Sequence, residues 1–270
     1  MKKLLRIEFR KMIHNRIFWL SLLGYALIMV LTLLMMRFQI IRFNERIQEG
    51  AGSFIPLIPT EIYSFPHVWH NLTFIGRFFK IFPGIFMVIL VSNEYVYNTL
   101  RQNYISGLSR FQLVFAKFLD GIMLALFATL LIFIFGLISG FATTNNIEFT
   151  DIFEKMAYLP AYFLMLAGFL TFVMMLAFLI KKPVFTIGII LIYIFIAEPV
   201  LASKFSESFG NYLPVRAMNL LIEIPDTPIF ALFSIKPDYD GISALHVVLS
   251  LVYTVIFFGI SYLYIKRKDL

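Results

Sequence analysis

From Ile17 to Met36 the chain runs for 20 residues without a charge, and apolar stretches of similar length recur at 71–93, 121–142, 156–180, 183–201 and 243–265. They are interrupted only by Arg77 and Lys80 in the second and Glu198 in the fifth. At ~1.5 Å per residue, 20 helical residues match a hydrocarbon core ~30 Å thick. Within lipid every backbone polar group must find a partner in its own segment, so each stretch is expected to be a transmembrane helix. The sequence therefore predicts an all-α integral membrane protein with six spans, forming one membrane domain over residues 1–270. Composition agrees: 60% of residues are hydrophobic and 14% charged, against roughly 45–50% and about 25% in soluble domains. A signal peptide is the competing reading of the first run. It would have a shorter apolar core followed by small residues, whereas Arg37 and Phe38 follow here.

Six spans place both chain ends on one side of the membrane. The first side takes the amino terminus, residues 94–120, Lys181 with Lys182, and the carboxy-terminal tail. It collects 14 of the 23 Lys and Arg and 4 of the 16 acids, a net +10 against −3 on the other side. Positive charge accumulates in cytoplasmic loops, so both termini are expected in the cytoplasm. The overall +7 is then a statement about topology, and no nucleic acid is needed to explain it. Residues 37–70 and 202–242 are expected as outer loops; in the second, Pro214 either opens a short helix, 215–223, on the membrane surface or lies in irregular loop. The chain has no cysteine, which excludes disulfides, thiolate metal sites and cysteine nucleophiles.

Residues 1–16 have the pattern of an interfacial helix. Leu5, Phe9 and Met12 share one face and Lys3, Arg6, Arg10 and His14 the other. The same basic stretch also reads simply as an orientation signal.

The segment 94–117 carries the densest local signals. Thr99 with Gln102 and Ser109 with Gln112 each fit a capping box, and Gly107 between them is a helix stop. Two starts and one stop predict a short helix, 100–106, held at an angle between two long ones. Such a helix can fill a groove on a cytoplasmic motor with Leu100 and Tyr104 and pass force to its neighbours. An ordinary helix–loop–helix connection is the alternative. Further along, Arg77, Lys80, Gly84, Met87, Val91 and Glu94 follow each other by steps of three and four, one stripe on a continuous helix. Charges at that depth are costly unless they face protein or water, so the stripe is expected to face a second chain or a pathway, as is Glu198; the alternative for both is that these outer parts of their helices, up to Lys80 in the first case, stand above the bilayer. Pro83 is a potential kink within it. Asp120 is expected to mark the cytoplasmic start of the third span. His67 and His70 have a spacing that could hold a metal, but no acidic or cysteine ligand adjoins them, and an interfacial aromatic and histidine cluster around Trp69 is the reading preferred.

The run Asn93-Glu94, Asn98 to Asn103, Ser106 to Arg110 and Lys117 resembles the signature of bacterial ABC-2 family permeases. That resemblance implies six spans behind an amino-terminal surface helix in the bacterial inner membrane, and export driven by ATP. It also implies that Glu94, Thr99, Leu100, Arg101, Gln102, Tyr104, Gly107, Ser109 and Arg110 contact an ABC ATPase subunit. A second permease chain, identical or different, would complete the pathway along Arg77, Lys80, Gly84, Met87 and Glu198. The chain contains no phosphate-binding loop, and no glycine precedes a lysine. No cofactor is therefore expected on this chain, and ATP with Mg belongs to the partner. A membrane-embedded enzyme would need paired acids or a His-Glu-x-x-His helix within the spans, and a secondary transporter would show internal repeats with polar broken helices. Neither pattern is present in the sequence.

Overall fold

A computed structural model describes residues 9–50, 63–144, 146–204, 207–225 and 241–267. The protein is all-helical over these residues. Its long elements are α1 (Arg16–Gly50), the broken pair α2 (Val68–Phe78) and α3 (Ile81–Val96), then α5 (Arg110–Thr143) and α7 (Tyr158–Ile180). A composite helix, α8 (Pro183–Ile192) with α9 (Glu198–Lys204), follows, and the last is α12 (Ala244–Arg267). Short helices α4 (Thr99–Ile105), α6 (Phe149–Phe153), α10 (Glu207–Gly210) and α11 (Pro214–Asn219) connect them. Five helices are long and apolar enough to cross a membrane, and the pair α2–α3 makes a sixth span if counted as one.

The helices exceed the predicted spans. α1 runs 35 residues, about 52 Å at ~1.5 Å each, so residues 37–50, expected as loop, prolong the first span beyond any bilayer. Asn15 starts it, its side chain accepting from the Ile17 N–H at 2.9 Å. Before it, residues 9–14 are helical, with Met12 buried and Arg10, Lys11 and His14 exposed. Lys3, Leu5 and Arg6 lie outside the described residues.

The second span is bent by 48° between α2 and α3. Pro83 explains it: the residue lacks an N–H for the Phe79 carbonyl four positions back, and its ring collides with that carbonyl. Phe82 bonds Phe79 at 3.1 Å in a tighter turn instead. A second proline, Pro199, removes a backbone bond in the same way from α8–α9, which nonetheless continues as one membrane-length helix. There the helix widens into a π turn, Tyr193–Ala197, which relieves the clash without ending the span.

α7 is the hub. It packs against α2, α3, α5, α8, α11 and α12 and is the most enclosed of the long helices. Small residues set the close approaches. A Cβ on Gly168 would stand 2.9 Å from the Met218 side chain, and one on Gly84 3.1 Å from the Phe169 ring. On α5, Gly136 and Gly140 form a small-xxx-small pair on which Trp69 and Phe65 lie, each with ring carbons 2.4 Å from where a Cβ would be. Other spans, α1, α8 and α12 above all, carry many exposed apolar residues, Leu20, Leu23 and Leu27 on α1 and Val184, Phe185 and Ile189 on α8 among them. An outward surface of this kind is stable only in lipid.

The chain's ends come together. Lys11, Met12 and Asn15 line a cavity of about 170 Å³ with Glu94, Tyr97 and Lys117. The Arg110 guanidinium donates to the carbonyl of Lys266, on the last turn of α12. The Lys181 ammonium lies over the rings of Tyr95 and Tyr264 at 6.0 and 5.5 Å. The four segments assigned to one side by charge thus converge at one end of the bundle. Residues 65–70, 144, 146–158, 198–204 and 207–225 gather at the other: Phe65 N–H donates to Thr144 Oγ1 at 3.0 Å, and the Trp69 indole to the Ile152 carbonyl at 2.7 Å.

Candidate functional site

At the terminal end, α3 stops at Val96 and the chain reverses through Asn98 in the left-handed conformation, φ +54°, a state that asparagine tolerates better than most residues. α4 then begins at Thr99. The capping box expected of Thr99 and Gln102 is absent, because Asn98 occupies the cap and its side chain makes no capping bond. The other signals appear as read. Gly107 takes φ +97°, with the Leu108 N–H closing on the Asn103 carbonyl at 3.2 Å. Ser109 and Gln112 exchange both bonds of a capping box, at 3.2 and 2.9 Å, and launch the 34-residue α5.

The side chains of this segment divide into two groups. Leu100, expected to fill a partner's groove, is buried in the chain's own core. It points back between α3 and α5 and so fastens α4 to its stalks. Glu94, expected as a partner contact, is also buried. The Lys117 ammonium on α5 lies 2.8 Å from its Oε1 and 3.1 Å from Asp120 Oδ2. Asp120 therefore does more than mark the start of a span, since the triad ties α3 to α5 immediately behind α4. Lys117 belonged to the family signature, yet the importance of its partner one turn on, Asp120, was not visible because only the fold brings Glu94 to it. The exposed residues from 99 to 110 are Arg101, Gln102, Tyr104, Ile105, Ser106, Gly107 and Ser109, with Ile105 74% and Tyr104 40% accessible. Arg110 is divided between the Lys266 carbonyl and the Tyr104 ring, 5.3 Å away.

At the opposite end the expected stripe is broken by the bend at Phe79 and Lys80. Its inner members turn into the protein: Met87 is buried beside Gly121 of α5, and Gly84 rests on Phe169 and Val173 of α7. Neither faces water or an outer surface, because the bend rotates α3 onto α7. Arg77 and Lys80 remain near each other. One Arg77 NH group donates to the carbonyls of Asn219 and Ile222 at 3.2 and 2.7 Å, between the rings of Phe74 and Phe78 at 4.3 and 5.1 Å. The buried Lys80 ammonium donates to Asn219 Oδ1 and lies 4.8 Å over Phe169.

These bonds hold α11, which the sequence reading laid on the membrane surface. It is instead docked on the bundle, with Val215, Ala217 and Met218 buried. Its start is held by Glu198, whose Oε1 accepts the N–H groups of Val215 and Arg216 at 2.8 and 3.0 Å, a carboxylate meeting the positive end of a helix turn. Together the bend, α11 and the π turn enclose a cavity of about 690 Å³.

Nearby, His70 is held within the fold. His70 stacks on Tyr158 with centroids 3.8 Å apart, and its Nε2 lies 3.0 Å from the Glu223 carbonyl. Among the described residues no three His, Cys, Asp or Glu side chains converge as a metal would require.

Residues 4–197 match the profile of a family described as ABC-2 family transporter protein. No curated protein matches the chain.

Proposed function

Because the chain belongs to the ABC-2 family of transporter proteins, we propose that it is the permease subunit of an ATP-driven exporter. Its ATPase is a separate subunit that seats on α4, and two permease chains, identical or different, form the pathway. The membrane is the bacterial inner membrane, with both termini, α4 and Lys181 on the cytoplasmic side, in keeping with the +10 to −3 charge asymmetry. ATP and Mg are held by the partner.

The observation that carries this reading is the division of the coupling segment into an anchored half and an offered half. Leu100 and the Glu94–Lys117–Asp120 triad hold α4 rigidly to α3 and α5. Ile105, Tyr104 and Arg101 stand exposed at its tip, beyond the apolar windows of the spans. An exposed isoleucine and tyrosine beside an arginine are the composition of an interface anchor. A push on α4 passes directly into two spans.

The test is co-purification with the candidate ATPase subunit. Ile105→Asp and Tyr104→Asp each place a charge in the buried centre of the contact, at a cost of several kcal/mol. Both variants should insert and fold while losing co-elution and stimulated ATP turnover. Undiminished association of both would reduce α4 to a connector.

A further inference from the structure

The cavity at the bend is lined on one side by Arg77, Lys80 and Arg216 and on the other by Ile81, Ile194 and Phe195. Three cations meet one lining carboxylate, Glu223, whose backbone carbonyl is engaged by His70. The other carboxylate close by, Glu198, is occupied by two N–H groups of α11. Among the described residues neither Arg77, Lys80 nor Arg216 lies within salt-bridge distance of an acid. Their partners are neutral: the carbonyls of Asn219 and Ile222, the Asn219 amide and, for the Arg216 Nε, Asn211 Oδ1 at 3.1 Å. Three basic side chains converge on one cavity, and although Glu198 acts on Lys80 electrostatically, the bases outnumber the acids there and favour an anion.

The rim decides what kind of anion. Phe78 and Phe195, both lining the cavity, are 57% and 63% exposed on the flank of the bundle, where the surface is apolar and lipid covers it. An entirely hydrophilic anion would leave the apolar wall of Ile81, Ile194 and Phe195 uncovered. A hydrocarbon chain lying against them would not. At about 690 Å³ the cavity is of ligand size. We infer that it binds an anionic amphiphile, with the anionic group among Arg77, Lys80 and Arg216 and the hydrocarbon leaving past Phe78 and Phe195 into the bilayer. As a station on an export pathway the site rests on the function proposed above; as a binding site it does not.

The chemistry is shared by a lipid headgroup and a free phosphate, and the two are separated by titration of the full chain in phosphatidylcholine nanodiscs. The probes are short-chain dihexanoyl phosphatidylglycerol, dihexanoyl phosphatidylcholine and inorganic phosphate, read by thermophoresis. Phosphatidylglycerol should bind saturably, and neither of the others should. Arg216→Gln, an exposed position that leaves the buried braces intact, and Lys80→Gln should each weaken it about tenfold, the loss of one charge-assisted contact. Lys182→Gln, on the opposite end, should leave it unchanged. Equal binding of phosphatidylcholine would show a merely apolar crevice and overturn the inference. Equal binding of phosphate would overturn its amphiphilic half, and no saturable binding would sink it whole. No ATPase is present in this titration, so its failure leaves the α4 reading standing, and loss of co-elution in the α4 test leaves this one standing.

Discussion

Lys117 shows how one side chain acquires its role from its surroundings. Enclosed between Glu94 and Asp120, it compensates two carboxylates that would otherwise be buried and repelling. Lys117→Met should therefore destabilise the protein by about 3–5 kcal/mol, as removal of one partner from a buried pair does. The triple variant with Glu94→Gln and Asp120→Asn should recover most of that loss in a detergent melting experiment. Recovery of nothing would mean that Lys117 acts through packing alone. Glycines give a second contrast at this scale. A methyl on Gly136 meets the Trp69 ring at 2.4 Å, whereas one on Gly188 meets nothing within 4 Å. Gly136→Ala should cost about 1–3 kcal/mol by overpacking, and Gly188→Ala should gain about 0.5–1 kcal/mol from helix propensity. Equal melting temperatures for the two would contradict the α2–α5 contact.

The elements owe their breaks to single residues. Pro83 imposes the 48° bend by its missing N–H and its ring, so Pro83→Ala should restore a bond to the Phe79 carbonyl and reduce the angle. Spin labels at Trp69 and Tyr97, introduced as cysteines into a chain that has none, should move apart in pulsed dipolar measurements. An unchanged distance would assign the bend to the packing of α2 instead. α4 depends on Gly107 at φ +97°, where a side chain is strained by about 1 kcal/mol even in open space. The Ser109 cap is worth about as much. Both punctuation marks were legible in the sequence because each is decided by one residue's own stereochemistry. The sequence reading places the cap of α4 on Thr99, one residue too late, because Asn98, in the left-handed conformation, supplies the reversal that a side-chain cap was expected to provide.

On the scale of the whole molecule, the ends of the chain, α4 and Lys181 lie together at one end of the bundle. If that end is cytoplasmic, Ser106→Cys should resist a membrane-impermeant maleimide in intact cells and Asn146→Cys, exposed at the other end, should be labelled. The reverse pattern would invert the orientation.

That the chain folds into apolar helices of membrane-spanning length was determined by the sequence alone, since transfer into lipid is a sum over residues along a segment and needs no knowledge of neighbours. Helix stops at Gly107 and starts at Ser109 were likewise local. Which face of each span meets protein was not. A soluble helix announces its buried face by contrast with a polar one, but lipid is as apolar as a protein core, and α7, the hub, is as uniformly apolar as the lipid-facing α8. The stripe from Arg77 to Glu94 had the right period for a single face, yet Pro83 divided it, sending Gly84 and Met87 against α7 and leaving Arg77 and Lys80 to α11. Glu198 and the start of α11 are 16 positions apart in the chain, and Glu94 and Lys117 are 23 apart. Only the tertiary structure could join them, because a buried charge is stabilised by whatever partner the fold brings within about 3 Å, and nothing in either local sequence names that partner.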